Sequence, residues 1–185
     1  MISAIIPIQD RTLAFSTLHG TPLVQQMVNA LHDSRVLDVA LVFDTTTDSI
    51  SIPWFNGKKI VNENIQHTLS SLNVGIEAVR TADLHGVLIC PVTTPLLSQS
   101  LIVDVLQGFW RSRKNIVVPV YNGKRGNPSL LAVALFDDLK RASSLEDFLA
   151  THQDDCIEIT TEEEGAVITI SSVSEIESFI HRQKL

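Results

Sequence analysis

Cysteine is scarce in this chain of 185 residues, with only Cys90 and Cys156, far apart and each inside an apolar stretch. No disulfide framework and no zinc-type spacing can be built from them, and this usage suits a reducing compartment. Basic residues are also in deficit: 14 Lys and Arg stand against 21 Asp and Glu, a formal charge of −7. A nucleic-acid clamp needs clustered cations against the phosphate backbone, so that class is excluded. No apolar run approaches the roughly 18 residues of a membrane span. There is no charged start followed by a hydrophobic region and a small-residue cleavage site, so no secretory signal is expected. Repeats, low-complexity tracts and linker-like segments are missing too, which removes solenoids and coiled coils. Glycine first occurs at Gly20. What remains is a chain 44% apolar and 19% charged, the composition of one cytoplasmic domain over residues 1–185.

Short apolar runs alternate with helical periodicity. Ser3–Ile8, Leu37–Phe43, Gly86–Val92 and Asn115–Tyr121 read as buried strands, with a shorter one at Lys59–Val61. Helices are expected over Thr21–His32, with Thr21 as N-cap and Pro22 at the first helical position, and over Asn64–Ala82, with Ile65, Leu69, Leu72, Ile76 and Val79 on one face. A third runs from an N-cap at Ser98 to Arg111, and a fourth spans Ala132–Leu149. Strands near Ile157 and Val167 and a helix over Val173–Arg182 complete the pattern. Strand–helix alternation with continuously apolar strands implies an α/β fold, a mostly parallel Rossmann-like sheet in a three-layer sandwich. Ligands then sit beyond the carboxyl ends of the strands, so the loops after Ile8, Phe43, Val92 and Tyr121 are where chemistry is sought.

The first of these loops, Gln9–Phe15, lacks the glycines of a phosphate cradle. Arg11 can meet an anion there or sit in solvent. Thr93 and Thr94, in the Pro-rich turn after the third strand, can bond a sugar or phosphate or can simply shape the turn; hydroxyls are poor ligands for Mg²⁺. Tyr121-Asn122-Gly123-Lys124-Arg125-Gly126-Asn127-Pro128 offers two cations and two flexible glycines, and reads either as an anion contact or as a polar hairpin. Asp44 and Asp48 can hold a cation or be solvated, and Glu162-Glu163-Glu164 is read as a solvated turn. The six histidines show no ligand spacing. Cys90 is read as core, because buried thiols are usually inert. No Walker or nucleophile-elbow motif occurs.

Four stretches, in this order, carry a resemblance: Gly20-Thr21-Pro22-Leu23-Val24, Ser70-Ser71-Leu72-Asn73-Val74-Gly75-Ile76, Pro95-Leu96-Leu97-Ser98, and Val118-Pro119-Val120-Tyr121-Asn122-Gly123-Lys124-Arg125-Gly126-Asn127-Pro128. The chain resembles the nucleotidyltransferases that attach CTP or GTP to molybdopterin and, more distantly, the methylerythritol-phosphate cytidylyltransferases. The resemblance implies the nucleotide-diphospho-sugar transferase type of sandwich, with CTP or GTP bound together with Mg²⁺. It implies a reaction in which an acceptor phosphate attacks the α-phosphorus and pyrophosphate leaves. It places Ser71, Asn73 and Gly75 beside the base, and makes Arg11, Thr93, Thr94, Tyr121, Lys124, Arg125, Gly126 and Asn127 candidates for nucleotide or acceptor binding.

The departures fall on the chemistry. The family's Gly-rich triphosphate loop and its following Lys are matched by a shorter segment without glycine, with Leu13 near the place of the Lys. The first metal aspartate aligns with Thr93. The family's D-I-D-T-P-E-D aligns with Thr169–Glu175, so the second falls on Ser171. No catalytic residue and no metal ligand is therefore assigned. Nucleotidyl transfer depends on positioning and charge neutralisation, so two expectations follow: altered or impaired transfer, with Asp10, Arg11 or Asp44 as substitute groups around a metal–nucleotide, or a non-catalytic protein that binds a nucleotide, a phosphorylated small molecule, a protein partner or a second copy of itself as a homodimer.

Overall fold

Strand β1 (Ile2–Ile8) is buried along nearly its whole length, and its side chains divide by the two-residue period of a strand. Ala4, Ile6 and Ile8 join one core, while Ile5 points into another on the opposite face. β4 (Val39–Phe43) repeats the division: Val39, Leu41 and Phe43 lie on the first face, Ala40 and Val42 on the second. A strand covered on both sides has no reason to alternate with polar residues, which is why these runs are continuously apolar. The computed structural model describes residues 1–44, 52–63 and 68–183.

The sheet runs β10-β7-β9-β6-β1-β4-β5, with β5 at Lys58–Val61, β6 at Gly86–Ile89, β7 at Ile116–Tyr121, β9 at Ser129–Ala132 and β10 at Cys156–Thr160; β8 (Lys124–Arg125) pairs only with β7. β1, β4, β5 and β6 are mutually parallel, as are β7 and β10, and β9 is antiparallel to both its neighbours. α2 (Leu23–Asp33) and α4 (Gln99–Arg111) cover one face through Met27, Leu31, Leu101 and Val105. α3 (Thr68–Val79), α5 (Phe136–Arg141) and α6 (Leu145–Thr151) cover the other through Leu72, Ile76, Phe136, Leu139 and Phe148. This is the three-layer sandwich expected. A third, small core of Leu13, Leu18, Leu23, Ile170 and Ile176 joins the segment after β1 to α7 (Val173–Gln183).

Several expected boundaries move. A five-residue helix, α1 (Arg11–Phe15), and a tight hairpin of β2 (Thr17–Leu18) and β3 (Thr21–Pro22) fill the first loop. His19 and Gly20 both have positive φ at its tip, the backbone a two-residue hairpin turn requires. Thr21 is therefore in a strand, and Pro22 precedes α2 without capping it. The expected helix over 132–149 is split. Ser129–Ala132 bonds to β6 and β7, a 3₁₀ turn follows at Val133–Leu135, and Ser144 opens α6 by capping Asp147 N–H. No strand forms near Val167, because that segment spends its backbone groups on loops: Asn127 N–H bonds Ala166 O at 2.8 Å and Ile170 N–H bonds Thr93 O at 2.7 Å. Ser98 caps α4 as read, accepting from Leu101 N–H at 3.0 Å. Of the helix expected from Asn64, residues 64–67 lie outside those described, as does Asp48.

Candidate functional site

In the strand order, β4 and β5 continue to one side of β1 while β6 lies on the other. The chain reverses its direction of progress there, and the loops after β1 and β6 part to leave a crevice at the carboxyl ends. A cavity of about 280 Å³ occupies this place, lined by Pro7, Gln9, Asp10, Leu13, Pro91, Val92, Thr93 and Ser171.

Each wall has a local cause. On the β1 side, Asp10 lies two residues past the strand and caps α1, its Oδ1 accepting from Leu13 N–H at 3.0 Å. On the β6 side, Thr94 N–H closes a turn onto Pro91 O at 2.9 Å. The third side is closed by Ser171, whose neighbour Ile170 donates its N–H to Thr93 O. The two positions matched to the family's metal aspartates thus share one cavity, although 78 positions separate them in the chain.

The acceptor-side candidates meet this assembly unevenly. Asn127 Nδ2 donates to Oγ1 of the buried Thr94 at 3.2 Å, so the base of the β7–β8 hairpin touches the Thr93–Thr94 turn. Gly126 is pressed on Ala166: a Cβ there would lie 2.3 Å from Ala166 O. Tyr121 is half-buried and Lys124 is exposed on the hairpin. Arg125 is drawn to the edge of the sheet, where Nε meets Glu158 Oε1 at 2.6 Å, and that bond holds its pKa above the ordinary value. Asn122 and Gly123 both have positive φ, so the stretch is a polar hairpin with its cations on the outside. Arg11 is exposed and stacks on Phe15, 5.9 Å from the ring centre.

A second group lies at the ends of β4 and β5. Ser71, fully buried on α3, donates to Asp44 Oδ1, while Asn62 Nδ2 reaches Ser70 Oγ at 2.8 Å and Ser71 Oγ at 3.0 Å. The solvated reading of Asp44 is corrected here, since it is only 6% exposed. Asn73 carries a buried Oδ1 with no hydrogen-bond partner among the described residues. Gly75 has a packing role: a Cβ would meet Ile5 and Val42 at 2.7 and 3.0 Å, so its absence lets α3 approach the sheet. Cys90 is wholly buried, and burial pushes its thiol far above the ordinary range. Glu163 and Glu164 border a separate cavity of about 740 Å³ with Leu96, Ile168 and Phe179.

The residues around the 280 Å³ cavity do not fit a Mg²⁺ ion. That cation is held through carboxylates and substrate phosphates, whereas here there are two neutral hydroxyls and one carboxylate already engaged as a cap. Among the described residues no group of three or more His, Cys, Asp or Glu side chains is placed to hold a metal. No helix among them is long and apolar enough to cross a membrane.

The family model for the MobA-like NTP transferase domain matches residues 12–156. Among solved structures, a nucleotidyl transferase from Methanothermobacter thermautotroptrophicus superposes with a TM-score of 0.79 at 14% identity, covering 99% of both chains. The 2-C-methyl-D-erythritol 4-phosphate cytidylyltransferase from Thermus thermophilus gives 0.71 at 16% identity, covering 98% of each. A manganese complex of Rv0371C from Mycobacterium tuberculosis gives 0.77 at 11% identity, covering 97% of this chain and 96% of that one. Among curated protein sequences none matches. Identities this low speak to fold.

Proposed function

Because the chain belongs to the MobA-like NTP transferase domain family, we propose that it is a nucleotide-binding protein of that fold in which the family's nucleotidyl transfer is impaired. One observation carries this reading: the cavity where Thr93 and Ser171 meet has a single carboxylate and no Lys or Arg among its lining residues. Transfer to an α-phosphorus develops charge on the phosphoryl oxygens and on departing pyrophosphate, and needs cations to neutralise it. A hydroxyl pair supplies hydrogen bonds without that neutralisation. The base-side group of Asn62, Ser70, Ser71 and Asn73 and the Thr94–Asn127 contact support retained recognition of a nucleotide or a phosphorylated acceptor.

The test pairs binding with turnover. Calorimetric titration with CTP and GTP is expected to give heat of binding for one of them. A pyrophosphate-release assay with Mg²⁺, either nucleotide and phosphorylated acceptors is expected to stay at background. Sustained release of pyrophosphate overturns the proposal.

A partner-binding role has its own support at the opposite end of the sheet. Trp110 is 57% exposed at the end of α4 and lies edge-on to His85, which also meets the Met1 amine at 2.7 Å. Exposed aromatics of this kind are enriched at interfaces. Light scattering of the native protein and of Trp110→Ser distinguishes a homodimer on this face from a monomer.

A further inference from the structure

Resting on the nucleotide-binding reading above, we infer that the cleft prefers a nucleoside to a metal-bound triphosphate, and that Asp10 is the residue that sets this preference. Three features of the cavity converge on it. First, the backbone N–H that a phosphate oxygen would seek at the turn after β1 is taken by the chain's own carboxylate, through the Asp10 Oδ1 to Leu13 N–H bond. α1 has only five residues, so it offers little further field to an anion. Second, Asp10 Oδ2 makes no hydrogen bond among the described residues, and its exposed carboxylate borders a cavity without a cation in its lining. The neighbouring Arg11 stacks on Phe15, and Arg125 is paired with Glu158. Third, Thr93 and Ser171 bring no carboxylate pair to recruit Mg²⁺, so a triphosphate would arrive unshielded beside a negative group.

The same lining suits an uncharged ligand. Thr93 and Ser171 offer neutral hydroxyls, while Pro7, Leu13 and Val92 supply apolar wall. The volume of about 280 Å³ lies at the small end of the roughly 300–1,000 Å³ of ligand pockets, which leaves little room for an extended triphosphate beside the base-side group.

The experiment is calorimetric titration of the native chain and of Asp10→Asn with cytidine, guanosine, CTP and GTP, each with and without Mg²⁺. Asparagine keeps the helix cap and removes the charge, and a circular-dichroism melt checks that the variant folds. The native chain is expected to bind one nucleoside at least as tightly as its triphosphate, without response to Mg²⁺. Asp10→Asn is expected to tighten triphosphate binding roughly three- to tenfold at about 50 mM salt and to lose that gain near 0.5 M, since screening removes a charge effect. Nucleoside affinity should stay within about threefold, because a neutral ligand does not sense the Asp10 charge at long range. Mg²⁺-dependent triphosphate binding at least tenfold tighter than nucleoside overturns the inference and leaves the nucleotide-binding reading standing. A variant that weakens triphosphate, or shifts both ligands alike, also overturns it. If no nucleoside or nucleotide binds to either protein, the nucleotide-binding reading itself falls.

Discussion

Asp44 is a carboxylate almost out of water, and the Ser71 hydroxyl is its hydrogen-bond donor. A buried charge deprived of its donor keeps its desolvation cost without the compensating bond. Ser71→Ala is therefore expected to destabilise the fold by about 1–3 kcal/mol in urea unfolding. Asp44→Asn combined with Ser71→Ala should cost less than the sum of the single changes, the sign that the two side chains act as a pair. Cys90 yields a second expectation. Its burial and raised pKa leave almost no accessible thiolate, so a thiol reagent should modify at most the half-buried Cys156 in the native protein and both cysteines after denaturation.

Single residues were legible to different degrees, for physical reasons. Cys90 could be placed because an apolar strand buries whatever it carries. Gly75 could not, because local sequence does not distinguish a glycine beside a ligand from one beside Ile5 and Val42. Arg125 was ambiguous for the same reason: its partner, Glu158, lies 33 positions away.

Elements follow a parallel logic. The strands beside the crevice were readable because a run buried on both faces has one composition. Ser129–Ala132 was not, since an apolar run of this length looks alike in a strand and in a helix. Only its pairing with β6 and β7 makes it β9 and takes Ala132 out of the expected helix, which is itself split into α5 and α6. Of these two, α5 packs on α3, where Lys140 meets Glu77 at 2.7 Å. That bond, chiefly, lowers the Glu77 pKa below its ordinary 4.5. A carboxylate with a depressed folded pKa adds stability above its unfolded pKa and loses it as pH falls through the folded value. Glu77→Gln should therefore lower Tm slightly at pH 7, by less than about 1 kcal/mol equivalent for an exposed pair. The difference should fade as pH drops from 4.5 downward, as scanning calorimetry against pH would read.

At the scale of the whole molecule, the sheet order makes the site. The reversal beside β1 opens the crevice, and the Ile170 N–H to Thr93 O bond brings Ser171 into the same cavity as Thr93. The matches of Thr93 and Ser171 to the family's two aspartates, read from separate stretches of sequence, carry no statement that the two residues meet. The capped turn at Asp10 was not anticipated, since α1 and its hairpin replace a loop with no glycine signal to follow. Under the proposed function, this crevice keeps the place of a metal–nucleotide site without its charge. Manganese titration followed by electron paramagnetic resonance tests it most directly, on the native chain and on Thr93→Asp combined with Ser171→Asp. The prediction is no stoichiometric Mn²⁺ site in the native protein and one new site in the double variant, where two carboxylates face each other across the cavity. Stoichiometric Mn²⁺ binding by the native chain, abolished by Asp10→Asn, would contradict the account.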